Sequence, residues 1–195
     1  MKALQCLTII LIIGLSTFIS PQKTAPKITC KNQNPVIPGV EVFLSEYLYL
    51  VKEKRVGLIT HPAGVNRNLQ STVDLFYNHP DINLVALYGP EHGVRGNAQA
   101  GEYVPFYVDD KTKLPVFSLY GQTKKPAPGM LKGKIPVKRM VDQVDIMICD
   151  LQDVGTRVYT YIATMAYAMQ ACAENGIAFI VLDRPNPING LIMEG

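Results

Sequence analysis

Histidine is scarce in this sequence, with three in 195 residues, and His61, His79 and His92 show neither helical pairing nor a zinc-type spacing. Metal-assisted hydrolysis therefore has no recognisable ligand set, and no metal is expected. Long blocks of like charge are also missing. A formal net charge of +3 provides no concentrated basic face of the kind that nucleic acid requires, so no nucleic-acid partner is expected. The fingerprint Gly-x-Gly-x-x-Gly follows none of the apolar segments, and no Walker loop occurs. The nearest glycine-rich turn, Gly89 to Gly96, carries Glu91, whose charge repels a pyrophosphate, and no nucleotide cofactor is expected. A Gly-x-Ser-x-Gly elbow is absent as well, which removes that route to nucleophilic serine chemistry. Of four cysteines, Cys6 lies in the apolar leader, and the remaining Cys30, Cys149 and Cys172 are odd in number and show no metal spacing. Cys149 and Cys172 read as small core residues.

Hydrophobic residues make up 48% of the chain, enough for one sizeable core and too many for a disordered segment. Cys6 to Ile19 is apolar apart from small and hydroxyl residues, preceded by Lys2 and followed by Ser20-Pro21. That is the pattern of an export signal over residues 1–20, and it is short for a membrane span. Phe18 is large for a position three residues before a cut after Ser20, which leaves an uncleaved anchor as the alternative. The protein is expected outside the cytoplasm, in the periplasm or beyond the cell. Residues 21–38, with four prolines and no apolar periodicity, read as a linker, and the domain spans residues 39–195.

Within the domain, helical and extended patterns alternate. A helix over about Val42 to Lys52 precedes the strand Arg55 to Thr60, and a second over about Ser71 to Asn78 precedes the strand Asn83 to Tyr88. A long polar loop, Gly89 to Asp110, leads to the strand Pro115 to Leu119. A lysine- and proline-rich excursion from Gln122 to Val137 comes before the strand Asp145 to Cys149. Thr160 to Asn175 has the clearest helical period, with Ile162, Met165, Ala166, Met169, Cys172 and Ala173 as the expected buried stripe and Gly176 as its stop. Ile177 to Leu182, almost wholly apolar, is expected to be covered on both faces. The alternation predicts an α/β fold, a Rossmann-like, mostly parallel sheet with helices on both faces.

In such sheets ligands bind beyond the carboxyl ends of the strands. Those ends carry Thr60-His61, Gly89-Pro90-Glu91-His92-Gly93, Tyr120-Gly121, Asp150-Leu151-Gln152-Asp153 and Asp183-Arg184-Pro185-Asn186. Each residue alone has a bland reading, as a turn cap, a satisfied loop histidine or half of an ion pair. Gathered at one edge, they make a polar cleft suited to acid–base chemistry by carboxylates, as glycoside cleavage requires. Tyr120, Tyr159 and Tyr161 add hydroxyls and flat faces on which a sugar ring can pack.

Five blocks carry a specific resemblance. They are Gly57-Leu58-Ile59-Thr60-His61-Pro62-Ala63-Gly64-Val65, the run from Tyr88 to Gly96, Leu114 to Gly121, Asp150 to Tyr161, and Leu182-Asp183-Arg184-Pro185-Asn186-Pro187. In this order they resemble the signature blocks of the NamZ-type exo-β-N-acetylmuramidases, glycoside hydrolase family 171, formerly a domain of unknown function. The resemblance implies an exported enzyme that removes N-acetylmuramic acid from the end of peptidoglycan-derived muropeptides or disaccharides. It implies Glu91 as the general acid, with His92 and Asp153 beside it. His61, Arg157, Tyr161, Asp183, Arg184 and Asn186 fall around the substrate by the same match, and Asp153 and Asp183, close in sequence to Arg157 and Arg184, are expected to stay ionised or to orient those arginines toward the lactyl carboxylate. Burial at the end of a central strand is expected to help Glu91 hold its proton. The resemblance also implies a separate C-terminal domain across the cleft that this chain lacks. A non-catalytic muropeptide-binding form and an eliminating (lyase) enzyme remain the alternatives.

Overall fold

The computed structural model describes residues 36–99, 101–102, 104–120 and 144–188. The expected leader, Cys30, most of the linker and the excursion between Gln122 and Val137 lie outside the described residues. The domain enters through α1. This helix runs as an α-turn over Gly39–Val42, widens to a π-turn over Phe43–Tyr47 and tightens to a 3-10 turn over Leu48–Val51. Then come β1 (Arg55–Thr60), α2 (Thr72–Tyr77), β2 (Asn83–Gly89), β3 (Tyr107–Val108), β4 (Pro115–Ser118), β5 (Ile146–Asp150), α3 (Tyr161–Glu174) and β6 (Ala178–Val181). Ser71 starts α2 by accepting a hydrogen bond from the Val73 N–H, which satisfies one of the donors a helix N-terminus leaves orphaned.

The six strands form one sheet in the order β3-β4-β2-β1-β5-β6, parallel except where β3 meets β4. Building outward from β1, the chain adds β2 and β4 on one side, then returns to add β5 and β6 on the other. The order therefore reverses between β1 and β5, and a crevice opens there beyond the strand ends. Right-handed crossovers run in opposite directions place their helices on opposite faces. The packing agrees: Val40 and Phe43 of α1 and Val73 and Phe76 of α2 share a core with Val56, Leu58, Ile146 and Ile148. Ala168 and Cys172 of α3 share the other core with Ile59, Tyr88, Phe117 and Met147. One irregularity bears on the site. Val56 pairs with Leu84 but Gly57 with Ala86, so Val85 is an extra residue in β2. Such a bulge turns Val85 and Ala86 to the same face as Tyr88 and resets the strand shortly before Pro90 and Glu91.

Two expectations fail in the packing. The stripe read from α3 is only partly its buried face: Cys172 is buried and Met165 packs on the core, but Ile162 is 58% exposed and Met169 46%, Ala166 and Ala173 are exposed as well, and Tyr161, Thr164, Ala168 and Ala171 are buried instead. The sheet face beneath carries the large side chains Tyr88, Phe117 and Met147. A helix lying on such a surface approaches most closely through its small residues, so side-chain size rather than apolarity chose the buried side. In β6, Ile180 packs on one core and Phe179 on the other, but Ala178 and Val181 are exposed, because β6 is an edge strand among the described residues. Cys149 and Cys172 are free and buried, as expected.

Candidate active site

His61 occupies the crevice between β1 and β5. The backbone N–H of Gln152 donates to its Nε2 at 2.8 Å, across the point where the strand order reverses. An Nε2 that accepts leaves the proton on Nδ1, so the ring is neutral. Burial pushes its pKa down to about 4, with the nearby Asp150 charge opposing and the Arg184 charge assisting. His61 is thus a wedge rather than an acid. Its ring meets that of Tyr161 edge-on at 4.9 Å. Because the folded pKa lies below the ordinary 6.5, the unfolded chain takes up a proton that the native ring refuses between those values. The melting temperature is therefore expected to fall as pH drops from about 6.5 to about 4, and His61→Gln should flatten that limb of the curve.

Asp150, fully buried at the end of β5, is the hub of the site. Arg184 grips it with two parallel hydrogen bonds, Nε to Oδ1 at 2.6 Å and Nη2 to Oδ2 at 2.8 Å. Nη2 also donates to the carbonyl of Val65 at 3.0 Å, and the Thr72 hydroxyl donates to Asp150 Oδ2. One carboxylate therefore ties together the loop after β1, the start of α2, the end of β5 and the segment after β6. One sequence expectation changes here. The fork of Arg184 is engaged with Asp150 rather than with Asp183. Asp183 is exposed, and its backbone carbonyl accepts from the Gly39 N–H at 2.8 Å.

Gln152 extends the linkage, its side-chain amide donating to the carbonyls of Asp153 at 2.7 Å and Pro185 at 2.9 Å. Asp153 uses Oδ2 to accept from the Gly155 N–H at 3.0 Å, while its buried Oδ1 has no hydrogen-bond partner among the described residues. Gly155 has φ of +73°, and a Cβ there would fall 2.5 Å from Asn186 Oδ1. The left-handed backbone favours glycine there, and any side chain would also displace the Asn186 amide. Asn186 spends its own Oδ1 on the Ile188 N–H, closing the turn after β6. Arg157 is exposed, in the loop between these turns and α3.

Glu91 leaves the end of β2 half-buried, its Oε1 accepting from the Gly101 N–H at 3.0 Å. The Tyr120 hydroxyl bonds the same side chain, and this pairing pushes the Tyr120 phenol up. His92 next door has φ of +72°, a conformation costly for a residue with a Cβ. Its Nδ1 contacts the Ala98 carbonyl at 3.1 Å, which ties the ring to the loop. Tyr161 donates from its hydroxyl to the Glu91 carbonyl at 3.3 Å. Burial, then contact with Tyr159, raises its phenol pKa. Because Tyr161 is only 4% exposed, it offers no open face for a sugar ring.

A cavity of about 180 Å³ adjoins this assembly, with Asp153, Tyr161, Asp183 and Arg184 among its walls and Leu151, Ile162 and Met165 beside them. A larger one, about 570 Å³, lies between α1 and β6, lined by residues such as Phe43, Tyr47, Leu50 and Val181. Its lining is largely apolar, and of the expected site residues only Asp183 reaches it, whereas four of them line the smaller cavity. Among the described residues no group of histidine, cysteine and carboxylate side chains is arranged to hold a metal ion. Asp150, Gln152 and Tyr120 were present in the strand-end motifs but were not assigned as site residues. The available signal was Asp150 itself, a charge closing a strand that is otherwise apolar.

Comparison with known proteins places this arrangement. The family described as "Exo-beta-N-acetylmuramidase NamZ, N-terminal" matches residues 56–195. A Bacillus subtilis (strain 168) protein named peptidoglycan beta-N-acetylmuramidase NamZ is 53% identical over 189 residues, which are 97% of this chain and 43% of that protein. The chain thus spans less than half the length of that relative. A crystal structure of a DUF1343 family protein from Bacteroides fragilis NCTC 9343 superposes with a TM-score of 0.70 at 49% identity, covering 82% of this chain and 37% of the other. A second DUF1343 family protein from that organism gives 0.59 at 33% identity, covering 79% and 36%.

Proposed function

This chain belongs to the N-terminal family of the NamZ exo-β-N-acetylmuramidases, and from that membership we propose that it carries the acid-bearing half of an enzyme that cleaves a terminal β-N-acetylmuramyl residue from peptidoglycan fragments. The observation that supports the reading most directly is the placement of Glu91. Its carboxyl group lies at the carboxyl edge of a central strand, held between the Gly101 N–H and the Tyr120 hydroxyl, and Tyr161 links its backbone to the wall of the smaller cavity. These donors fix the direction of the carboxyl group, and a general acid in glycoside cleavage must be held within reach of the departing sugar oxygen. Asp153 and the exposed Arg157 are the groups on this edge best placed to contact the rest of the sugar, Arg157 taking the lactyl carboxylate.

The apolar groove between α1 and β6, together with the outward face of α3, marks where we place the contact with a C-terminal domain. The enzyme acts outside the cytoplasm, where peptidoglycan lies, and recovery of the native protein from cytosol with residues 1–20 intact would overturn that placement. The test of function is incubation of the full-length protein with a chromogenic muramide and with N-acetylmuramyl-N-acetylglucosamine, followed by mass spectrometry. Free N-acetylmuramic acid is the expected product. A product lighter by one water identifies elimination, and binding without release identifies a non-catalytic muropeptide-binding protein.

A further inference from the structure

The loop that carries Glu91 and His92 leaves β2 through a tight turn, with the Gly93 N–H donating to the Pro90 carbonyl at 2.9 Å. It closes on itself twice. His92 is joined to Ala98 through both its ring and its carbonyl, and the Gly101 N–H returns to the Glu91 carboxylate. These contacts shape the loop, but none of them sets its angle to the sheet. Val94 does part of this by entering the core at 3% exposure. The Tyr161 and Tyr120 hydroxyls reach Glu91 itself, but an apolar plug can turn about its own axis, and a directional contact on the body of the loop is needed as well.

Arg95 makes that contact. Its Nε and Nη2 donate to Asp109 Oδ1 and Oδ2 at 3.0 and 3.1 Å, and Nη1 and Nη2 reach Asp74 Oδ1 at 3.3 and 3.4 Å. Asp109 is itself fixed, 3% exposed and bonded to both the backbone N–H and the hydroxyl of Thr112, in the turn that joins β3 to β4. Asp74 lies on α2 and takes a second cation, Lys111, at 2.6 Å. A planar guanidinium gripping two carboxylates on different elements defines an orientation, which a single point charge does not. The pairing with Arg95, helped by Thr112, holds the Asp109 carboxyl down at about 2, so it is ionised at neutral pH.

We propose that Arg95 is the positioning residue for Glu91, acting through Asp109 and Asp74 to aim the general acid at the departing oxygen. The inference rests on the proposed acid role of Glu91 and adds to it the device that orients that acid. The test compares leaving groups in the full-length enzyme. N-acetylmuramyl-N-acetylglucosamine needs its leaving oxygen protonated, whereas a 4-nitrophenyl muramide expels a stable phenolate with little help. A misaimed acid should cost turnover on the first substrate only.

For Arg95→Met and for Asp109→Asn the expected result is a loss of about tenfold or more in kcat on the disaccharide, as small misplacements of catalytic groups produce, and a change within about twofold on the nitrophenyl substrate. Arg95→Lys, which keeps the charge but loses the fork, should recover part of the loss. If Arg95→Met does not fold, Asp109→Asn and Arg95→Lys carry the comparison. Equal losses on both substrates, or no loss on either, overturn the proposal. Glu91→Gln measured alongside separates the two claims. If it shows the same leaving-group selectivity while the Arg95 and Asp109 variants do not, only the positioning role fails. If Glu91→Gln shows no selectivity, the acid assignment fails and the positioning role with it.

Discussion

Glu91→Gln in the full-length protein is expected to lower turnover on a substrate with a poor leaving group by about 10²-fold or more while leaving its affinity nearly unchanged. The reason is geometric as well as chemical. The glutamine amide can still accept from the Gly101 N–H and the Tyr120 hydroxyl through its carbonyl oxygen, so the loop keeps its shape. What the variant loses is the proton that reaches the leaving oxygen in the transition state. A loss confined to kcat reports an interaction made only there, whereas a parallel rise in KM would point to lost substrate contact. Wild-type turnover in the variant would move the acid elsewhere, and Asp153, with one carboxylate oxygen unpartnered among the described residues, is then the next candidate.

The second large effect concerns stability. Arg184→Met leaves the Asp150 carboxylate, 0% exposed, with the Thr72 hydroxyl in place of a bidentate cation. Removing one member of a buried ion pair typically costs about 3–5 kcal/mol, because the other charge stays desolvated or must take up a proton. In a domain of this size each kcal/mol corresponds to about 2–4 °C in melting temperature, so the variant should melt many degrees below the parent. Neutralising the partner as well, in Asp150→Asn with Arg184→Met, removes the stranded charge and should recover part of the loss, which a double-mutant cycle measures directly. If Arg184 were instead free to clamp a substrate carboxylate, Arg184→Met would melt normally and lose only affinity. Retention of the parent melting temperature would therefore overturn the structural role assigned here.

The two effects differ in kind although both residues came from the same row of strand-end motifs. In the sequence, Glu91, Asp150 and Arg184 are equivalent, each a charge just after an apolar run. Burial and partnership separate them. Asp150 ends a strand flanked by β1 and β6, and it meets Arg184 across 34 positions of sequence. Glu91 ends a strand that opens into a loop, where the partners of its carboxyl group among the described residues are one backbone N–H and one hydroxyl. Spacing along the chain carries no information about which carboxylate a guanidinium will reach when several lie at the same edge.

The strands themselves were legible because apolar runs bounded by turn residues leave few alternatives. β1 matches its expected span, and β2, β4, β5, β6 and the three helices fall within a few residues of theirs. Alternation of helix and strand was enough for the parallel sheet, and the family blocks were enough to bring Glu91, Asp153, Tyr161 and Arg184 to one edge. The tertiary structure alone decided the rest. β3 is two residues long and exists through its pairing with β4, so it carries no periodicity of its own. The buried side of α3 was set by the large side chains of the sheet beneath it, which periodicity along the helix does not record. The bulge in β2, the neutral wedge His61 and the assignment of Arg184 to Asp150 all depend on neighbours brought together by the fold. Local patterns of apolarity determine which segments become strands and helices, and packing and desolvation determine which charges are left available for chemistry.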